Sequence, residues 1–399
     1  MKIALVAESF LPHMNGVTNS LLRVLDHLKQ RGDEVIVIAP DTAWIFGQVH
    51  PDPTPPQGPS DAELGVPVHR LPSLPLTGYA KVRVAAGTVA RVRRILAGFR
   101  PDVVHVASPF VLGWRAIQAA NELGLPTVSI YQTEVPTYAA RYGLPLLEEV
   151  LWQRVREIHQ ASTVNLAPSS FARNQLREIG VRRVRLWRRG VDARRFNPGR
   201  RDDALRREIA PNGEKIVGFV GRLAVEKQVE DLTRLGRISG VKLAIVGDGP
   251  LRADLERALP GAHFAGFRSG DDLGRHVASF DVFVHPGESE TFCQTIQEAM
   301  AARVPVVAVG RGGPLDLVDH SRTGWLYRPG DLEAMEGHVR DLVGDDAKRE
   351  AFADAALDSV RGRTWESLGE ELVGHYTRAI AMNRRHLDRT AKAILSLYA

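Results

Sequence analysis

Lys215-Ile216-Val217-Gly218-Phe219-Val220-Gly221-Arg222 restarts, past the middle of the chain, the pattern with which the chain begins. An apolar run too short for a buried helix ends in a glycine that lets the backbone turn, and an amphipathic stretch follows. Ile3–Ala7 is a similar short apolar run near the start, ahead of a helical pattern over Thr18–Lys29 and a second Val- and Ile-rich run at Glu34–Ala39. Val103–Val106 and Thr127–Tyr131 continue the first series. Lys242–Val246, His263–Phe264, Val282–His285 and Val304–Val309 continue the second. Continuous apolar runs alternating with helices mark a parallel sheet covered on both faces. The sequence therefore predicts an α/β protein of two doubly wound, Rossmann-like parallel-sheet domains facing a central cleft. In such sheets ligands sit beyond the carboxyl ends of the strands, and here that places them between the domains. The seam is expected between about Leu186 and Pro211, with residues 1–188 on one side and 189–375 on the other. Val49–Pro59, with five prolines, reads as a surface loop inside the first domain.

A length of 399 residues suits two domains of ordinary size, and 44% hydrophobic with 25% charged residues excludes disordered and fibrous classes. The lone Cys293 excludes an internal disulfide and a cysteine-based zinc site, which points to a reducing compartment. No stretch approaches the roughly 18 apolar residues of a spanning helix, and the leading apolar run is too short for a signal-peptide core. A cytoplasmic protein is expected. The net charge of +5 is unevenly spread: residues 1–190 carry 22 Lys and Arg against 15 Asp and Glu, the remainder 30 against 32. Within the basic half, Lys81–Arg100 reads as a helix with six Lys and Arg, no acid, and apolar residues at Val84, Val92, Ile95, Leu96 and Phe99. That composition fits a helix lying on an anionic membrane surface, or one covering the domain with a solvated basic face. A second cluster, Arg182, Arg183, Arg185, Arg188, Arg189, Arg194 and Arg195, sits at the seam, where it could stiffen the hinge, face the cleft or join a membrane surface. No nucleic-acid module accompanies the charge.

The window that carries most chemistry is His285-Pro286-Gly287-Glu288-Ser289-Glu290-Thr291-Phe292-Cys293-Gln294-Thr295-Ile296-Gln297-Glu298. It follows a strand and is expected to open a helix at about Thr291, and an exposed helix N-terminus favours an anion such as phosphate. Glu290 precedes that end and Glu298 lies about 12 Å further along at ~1.5 Å per residue. Two carboxylates flanking an anion site suit hydroxyl recognition. The plainer alternative is an acidic helix start with Glu298 on a solvated face. In Gly221-Arg222-Leu223-Ala224-Val225-Glu226-Lys227, Arg222 and Lys227 supply the cations that a departing diphosphate needs where no metal is present. Gly247-Asp248-Gly249 and Gly310-Arg311-Gly312-Gly313 both lack the spacing of a dinucleotide fingerprint. The chain has no Gly-Lys pair for a Walker loop and no Asp-x-Asp pair for a chelated metal. Neither a metal nor a cofactor is expected.

Together and in this order, these windows resemble glycosyltransferase family 4, retaining transferases of the GT-B fold, over essentially the whole chain. The resemblance runs through Asn15-Gly16-Val17, Arg189-Gly190-Val191-Asp192, Gly221-Arg222-Leu223 and the Glu290–Glu298 window. Trp365–Tyr376 is similar to the closing helix of the family, which implies that a C-terminal helix over 376–399 packs back on the first domain. Tyr131-Gln132-Thr133-Glu134, Glu290–Met300 and Gly312–Val318 look most like bacterial GDP-mannose-dependent α-mannosyltransferases that build glycolipids, and also resemble the related sulfoquinovosyl-diacylglycerol synthases.

The resemblance implies that Glu290 binds hydroxyls of the donor hexose and Glu298 those of the ribose. Backbone N–H groups at Phe292 and Cys293 would hold the diphosphate together with Arg222, Lys227 and the Gly16 loop, and Phe267 and Arg268 would face the base. Gln132 stands where many members have a histidine. A neutral amide orients a hydroxyl but takes no proton, so front-face attack with the leaving phosphate accepting the proton is the expected mechanism. Cys293 replaces a frequent glycine and reads as a small packing residue rather than a catalytic thiol. The implied function is a metal-independent, retaining transfer of a hexose, most of all mannose from GDP-mannose, to a lipid-linked or small polyol or uronate acceptor. The alternatives are a UDP-sugar-dependent transferase, glucosyl- or sulfoquinovosyl-type, and a non-catalytic nucleotide-sugar-binding, membrane-associated protein. First-domain loops at His13–Thr18, Thr77–Tyr79 and Gln132–Tyr142 would form the acceptor side.

Overall fold

A computed structural model describes residues 1–12, 14–41, 59–76, 79–107, 109–134 and 148–397. Two parallel sheets organise the chain. The first contains β1 (Lys2–Ala7), β2 (Glu34–Pro40), β3 (Val68–Leu71), β6 (Val103–Ala107), β7 (Thr127–Ile130), β8 (Val164–Ala167) and β9 (Val184–Leu186), in the order β3-β2-β1-β6-β7-β8-β9. A hairpin of β4 (Ser73–Leu76) and β5 (Tyr79–Ala85) stands apart from it and is antiparallel. The second sheet contains β10 (Lys215–Val220), β11 (Val241–Val246), β12 (His263–Gly266), β13 (Val282–His285), β14 (Val306–Val309) and β15 (Gly324–Tyr327), in the order β12-β11-β10-β13-β14-β15. Every pairing within the two sheets is parallel. Both therefore run outward from their first strand, reverse, and continue on its other side, which is the doubly wound order.

Each sheet is buried on both faces, as its continuous apolar strands require. In β10, Ile216 and Val220 pack with Phe280, Phe283 and Val360 on one side, while Val217 and Phe219 pack with Leu232, Leu255 and Val339 on the other. In β1, Ile3 and Leu5 face helix Gly16–Gln30, and Ala4 and Val6 face helices Val89–Phe99 and Leu112–Glu122. Asn15 starts helix Gly16–Gln30 by accepting hydrogen bonds from the N–H groups of Val17 and Thr18, each at 2.9 Å.

Two expectations are corrected. Lys81–Arg100 is not one helix: β5 runs to Ala85, and the helix begins only at Val89, where the Thr88 hydroxyl accepts from Arg91 N–H. Val92 and Leu96 are fully buried in the first core, with Val89, Ile95 and Phe99 packed against it. The apolar face assigned to a membrane is thus spent inside the domain, and what it leaves for solvent is basic. The return to the first domain also starts earlier than residue 376. Helix Trp365–Leu397 is continuous, and its Leu372, Val373, Tyr376 and Ala379 belong to the first core. Tyr376 Oη lies 2.5 Å from His105 Nδ1 in β6, and the Trp187 indole donates to Leu368 O at 2.8 Å.

The two chain crossings between the sheets run side by side. Val191 N–H donates to Arg363 O at 2.8 Å, and a Cβ on Gly190 would come within 2.4 Å of Trp365 N. Only glycine fits there. No helix among the described residues is long and apolar enough to cross a membrane. Val49–Gly58, His13, Thr77, Gly78 and residues 135–142 of the expected loops lie outside the described residues.

Candidate active site

The carboxyl ends of β10 and β13 lie side by side where the strand order of the second sheet reverses. Their two loops are stitched together. Glu288 N–H donates to Gln228 Oε1 at 2.8 Å, and Gln228 Nε2 returns a bond of 3.1 Å to Glu288 Oε1. Arg311 Nη1 reaches Glu288 Oε2 at 3.1 Å from the turn after β14. That turn is a backbone support. Gly313 N–H donates to Glu290 O at 2.7 Å, and Cβ atoms on Gly312 and Gly313 would sit 2.5 Å from Glu290 O and 2.2 Å from Phe292 O. The glycines that fail as a dinucleotide fingerprint are there to let this turn press against the β13 loop.

Lys227 and Glu290, one from each loop, are in direct contact: Lys227 Nζ donates to Glu290 Oε1. His285 Nε2 approaches the same oxygen at 3.1 Å, with its ring stacked on Phe219. Burial alone would raise the Glu290 carboxyl, but the Lys227 ammonium and the His285 imidazole outweigh it and hold the group down at about 2. Burial likewise opposes the His285 cation, while the Cys293 sulfur and the Glu290 carboxylate raise it to about 9. Both contacts thus favour the anionic form of Glu290.

The helix that follows begins later than the sequence suggests. It spans Gln294–Ala301, because Cys293 takes a left-handed conformation (φ 68, ψ 74) that interrupts any helical run from Thr291. No side chain caps this helix, so its first N–H groups remain available to an acceptor from outside the chain. Phe292 points its ring into the second core. Gln294 Nε2 and Gln297 Nε2 donate to Gly190 O and Arg189 O, both at 2.9 Å, tying the helix to the crossing.

Glu298, two turns along a solvated helix face in the plainer reading, is buried at 8% exposure. Burial pushes its carboxyl up to about 8, against the pull of Gln294, Arg195 and Arg23. The folded chain therefore holds a proton at Glu298 that the unfolded chain, with a carboxyl near 4.5, has lost. Stability from this group is full below that lower value and drains away as pH rises towards 8. Glu298→Gln removes the cost. The variant should melt above the native protein by a margin that widens from pH 5 to pH 8 and then levels, reaching on the order of 2 kcal/mol. Melting scans across that range check it, and a constant margin would contradict the burial of an ionisable carboxyl.

Between the domains lies a residue that the sequence placed in the arginine cluster and in the Arg189–Asp192 motif, with no role assigned to it. Arg189 is 6% exposed, and its Nη1 donates to Gly16 O at 3.0 Å while Nη2 donates to Gln132 Oε1 at 2.7 Å. Burial lowers this guanidinium to about 10, and the charges of Glu290 and Glu298 oppose the fall. Thr291 Oγ1 donates to Gln132 O at 2.8 Å. Gly16, Gln132, Arg189 and the β13 loop are thereby brought to one place. On the first-domain side, the Glu8 carboxylate accepts from the N–H groups of Phe110 and Gly113 at 2.8 and 2.7 Å, facing the start of helix Leu112–Glu122. Of the residues missed, His285 and Arg189 both lay in quoted windows. Glu8 had no signal beyond its place after the first strand.

Three expected site residues are not drawn into this cluster. Arg222 has a half-exposed side chain whose nearest acid is Glu226 at 3.8 Å. Phe267 is 50% exposed, and Arg268 pairs with Asp272 at 3.3 Å. All three follow strands that end at the cleft side, Arg222 after β10 and the other two after β12.

Comparison with known proteins agrees with this architecture. The sequence model described as Glycosyltransferase Family 4 matches residues 14–195, and that described as Glycosyl transferases group 1 matches residues 201–358. A GDP-mannose-dependent alpha-mannosyltransferase of Mycobacterium tuberculosis is 46% identical over 94% of this chain and 96% of its own. A sulfoquinovosyl transferase of Arabidopsis thaliana is 34% identical over 92% and 71%. Among solved structures, a sucrose-phosphate synthase from Thermosynechococcus elongatus superposes with a TM-score of 0.78 at 20% identity, covering 95% of this chain and 99% of that one. HepE of Anabaena, in complex with UDP, gives 0.76 at 18%, covering 95% and 100%. The chain belongs to glycosyltransferase family 4, has the GT-B architecture of two Rossmann-like domains, and is a glycosyltransferase.

Proposed function

We propose that this glycosyltransferase moves mannose from GDP-mannose, with retention and without a metal, to a lipid-linked or small polyol or uronate acceptor. The observation that carries the reading is the uncapped helix start at Gln294 with the Lys227–Glu290 pair beside it. An uncapped N-terminus takes an anion, and a carboxylate adjacent to it takes hydroxyls, which is the shape of a sugar diphosphate. Relatives between 42% and 47% identical over 94–96% of this chain are named GDP-mannose-dependent alpha-mannosyltransferases, which supports the choice of donor.

In this reading Lys227, Arg222 and the N–H groups from Cys293 onward neutralise the diphosphate, the Gly16 loop closes over it, and Phe267 and Arg268 flank the base. Glu290 binds the hexose and Glu298 the ribose. Gln132, held by Arg189, orients the acceptor hydroxyl. An amide accepts no proton, so the acceptor oxygen attacks C1 on the face the diphosphate leaves. The C1–O bond to phosphate breaks, the new glycosidic bond forms, and the hydroxyl proton passes to the departing phosphate oxygen.

Calorimetric titration with GDP and with UDP tests the donor. GDP is expected to bind at least about tenfold more tightly, a difference of ~1.4 kcal/mol. Tighter binding of UDP would overturn the assignment in favour of a UDP-sugar. With the apolar face of helix Val89–Phe99 buried, contact with an anionic membrane would rest on charge alone. Sedimentation with anionic vesicles should then disappear on adding salt, and binding that persists in high salt would contradict it.

A further inference from the structure

His285, Glu290 and Cys293 converge on one point. One donor atom from each, nitrogen, oxygen and sulfur, lies within 4.8 Å of the other two, and all three residues are buried. The imidazole is 2% exposed, and its Nε2 already stands 3.1 Å from Glu290 Oε1. The backbone that presents the set is fixed. His285 is registered against Ala308 in β14, and Glu290 O is held by Gly313 N–H. Cys293 sits at a left-handed turn locked by the helix that follows.

This donor set has a definite chemical preference. A thiolate, an imidazole and a carboxylate suit borderline-soft zinc, which takes three protein ligands and keeps a fourth position open. Magnesium and calcium, which demand oxygen ligands, do not match it. Lys227 Nζ and His285 Nε2 both meet Glu290 Oε1. One divalent cation would supply the same charge to the same atoms.

We propose that His285, Glu290 and Cys293 form a binding site for a zinc-class divalent cation, and that its occupancy blocks the site by withdrawing Glu290 from Lys227 and from the sugar. The site itself stands on these three side chains, whereas the blocking rests on the donor reading above. Nothing in the proposed transfer uses the metal, so the effect is inhibition.

Cobalt(II) titration of the whole protein reads the site directly, because sulfur ligation gives a thiolate-to-cobalt absorption in the near ultraviolet. The band is expected in the native protein, with zinc displacing the cobalt. It should vanish in Cys293→Ser, and zinc affinity measured by calorimetry should fall at least about tenfold in both Cys293→Ser and His285→Gln. Circular dichroism confirms that both variants are folded, and with two independent variants a failure of one to fold leaves the other to decide. A native protein without the thiolate band, or one whose band survives in Cys293→Ser, overturns the site. In the same series, saturating zinc should weaken GDP-mannose binding at least about tenfold, with the reciprocal effect on zinc. A cobalt band with unchanged GDP-mannose affinity overturns the blocking role, while failure of GDP-mannose to bind the metal-free protein counts against the donor reading and not against the site.

Discussion

Lys227→Ala should weaken donor binding and turnover together, by about 10- to 150-fold. The lysine is the direct partner of Glu290 and stands in the loop at the switch point of the second sheet. In the proposed donor mode its loss removes a charged partner of the diphosphate, worth roughly 1.5–3 kcal/mol. It also leaves Glu290 buried with His285 as its remaining close cation. Burial would then drive the carboxyl upward from about 2, since the Lys227 charge leads the influences that hold it down. Removing one member of a buried pair costs ~3–5 kcal/mol in unfavourable cases, so the variant should melt lower as well. Lys227→Arg keeps the charge and should recover part of the binding. Donor titration and steady-state rates measure both effects, and a Lys227→Ala enzyme within twofold of native on both would contradict the placement.

Glu290→Gln should act differently, lowering turnover by about 100-fold while changing donor affinity little. The amide keeps the shape and still meets sugar hydroxyls, but it cannot stabilise the positive charge that builds on the hexose as the diphosphate departs. Loss of one preorganised electrostatic partner of that kind costs on the order of 100- to 1,000-fold in turnover. Interactions that strengthen only in the transition state appear in the rate and not in ground-state binding. The native profile should show no loss of rate from this residue as pH falls towards 5, because Glu290 stays ionised down to about 2. An unchanged rate in Glu290→Gln would remove the residue from the reaction.

Much of this was legible because buried parallel strands are continuous apolar runs. Ile3–Ala7, Glu34–Ala39, Lys215–Val220 and Val282–His285 have no competing interpretation at their length, and each is a strand. The short strands β3, β8, β9 and β15 have three or four residues each and carry too little pattern to announce themselves. Lys81–Arg100 misled because Val, Ala and Arg satisfy both periods, and nothing local says that Thr88 rather than Lys81 begins the helix. At the site, the family resemblance alone brought the Arg222–Lys227 loop to the β13 loop, and the physical reason is the sheet order, since adjacent parallel strands place their following loops together. The finer geometry was not readable. The left-handed Cys293 depends on packing, and Arg189 gains its position from Gly16 and Gln132, more than 50 residues distant in the chain. Glu298 is a buried acid only in the tertiary structure, where Arg195, Arg23 and Asp192, all remote in the chain, lie near enough to act on its charge.

Mannosyl transfer is read directly by incubating the protein with a lipid extract and either GDP-mannose or UDP-hexoses, and examining the products by mass spectrometry. GDP-mannose should give a product heavier than its acceptor by one hexose, accompanied by released GDP, and UDP-hexoses should give none. A product formed only from a UDP-hexose, or GDP-mannose bound tightly with neither transfer nor hydrolysis, would contradict mannosyl transfer.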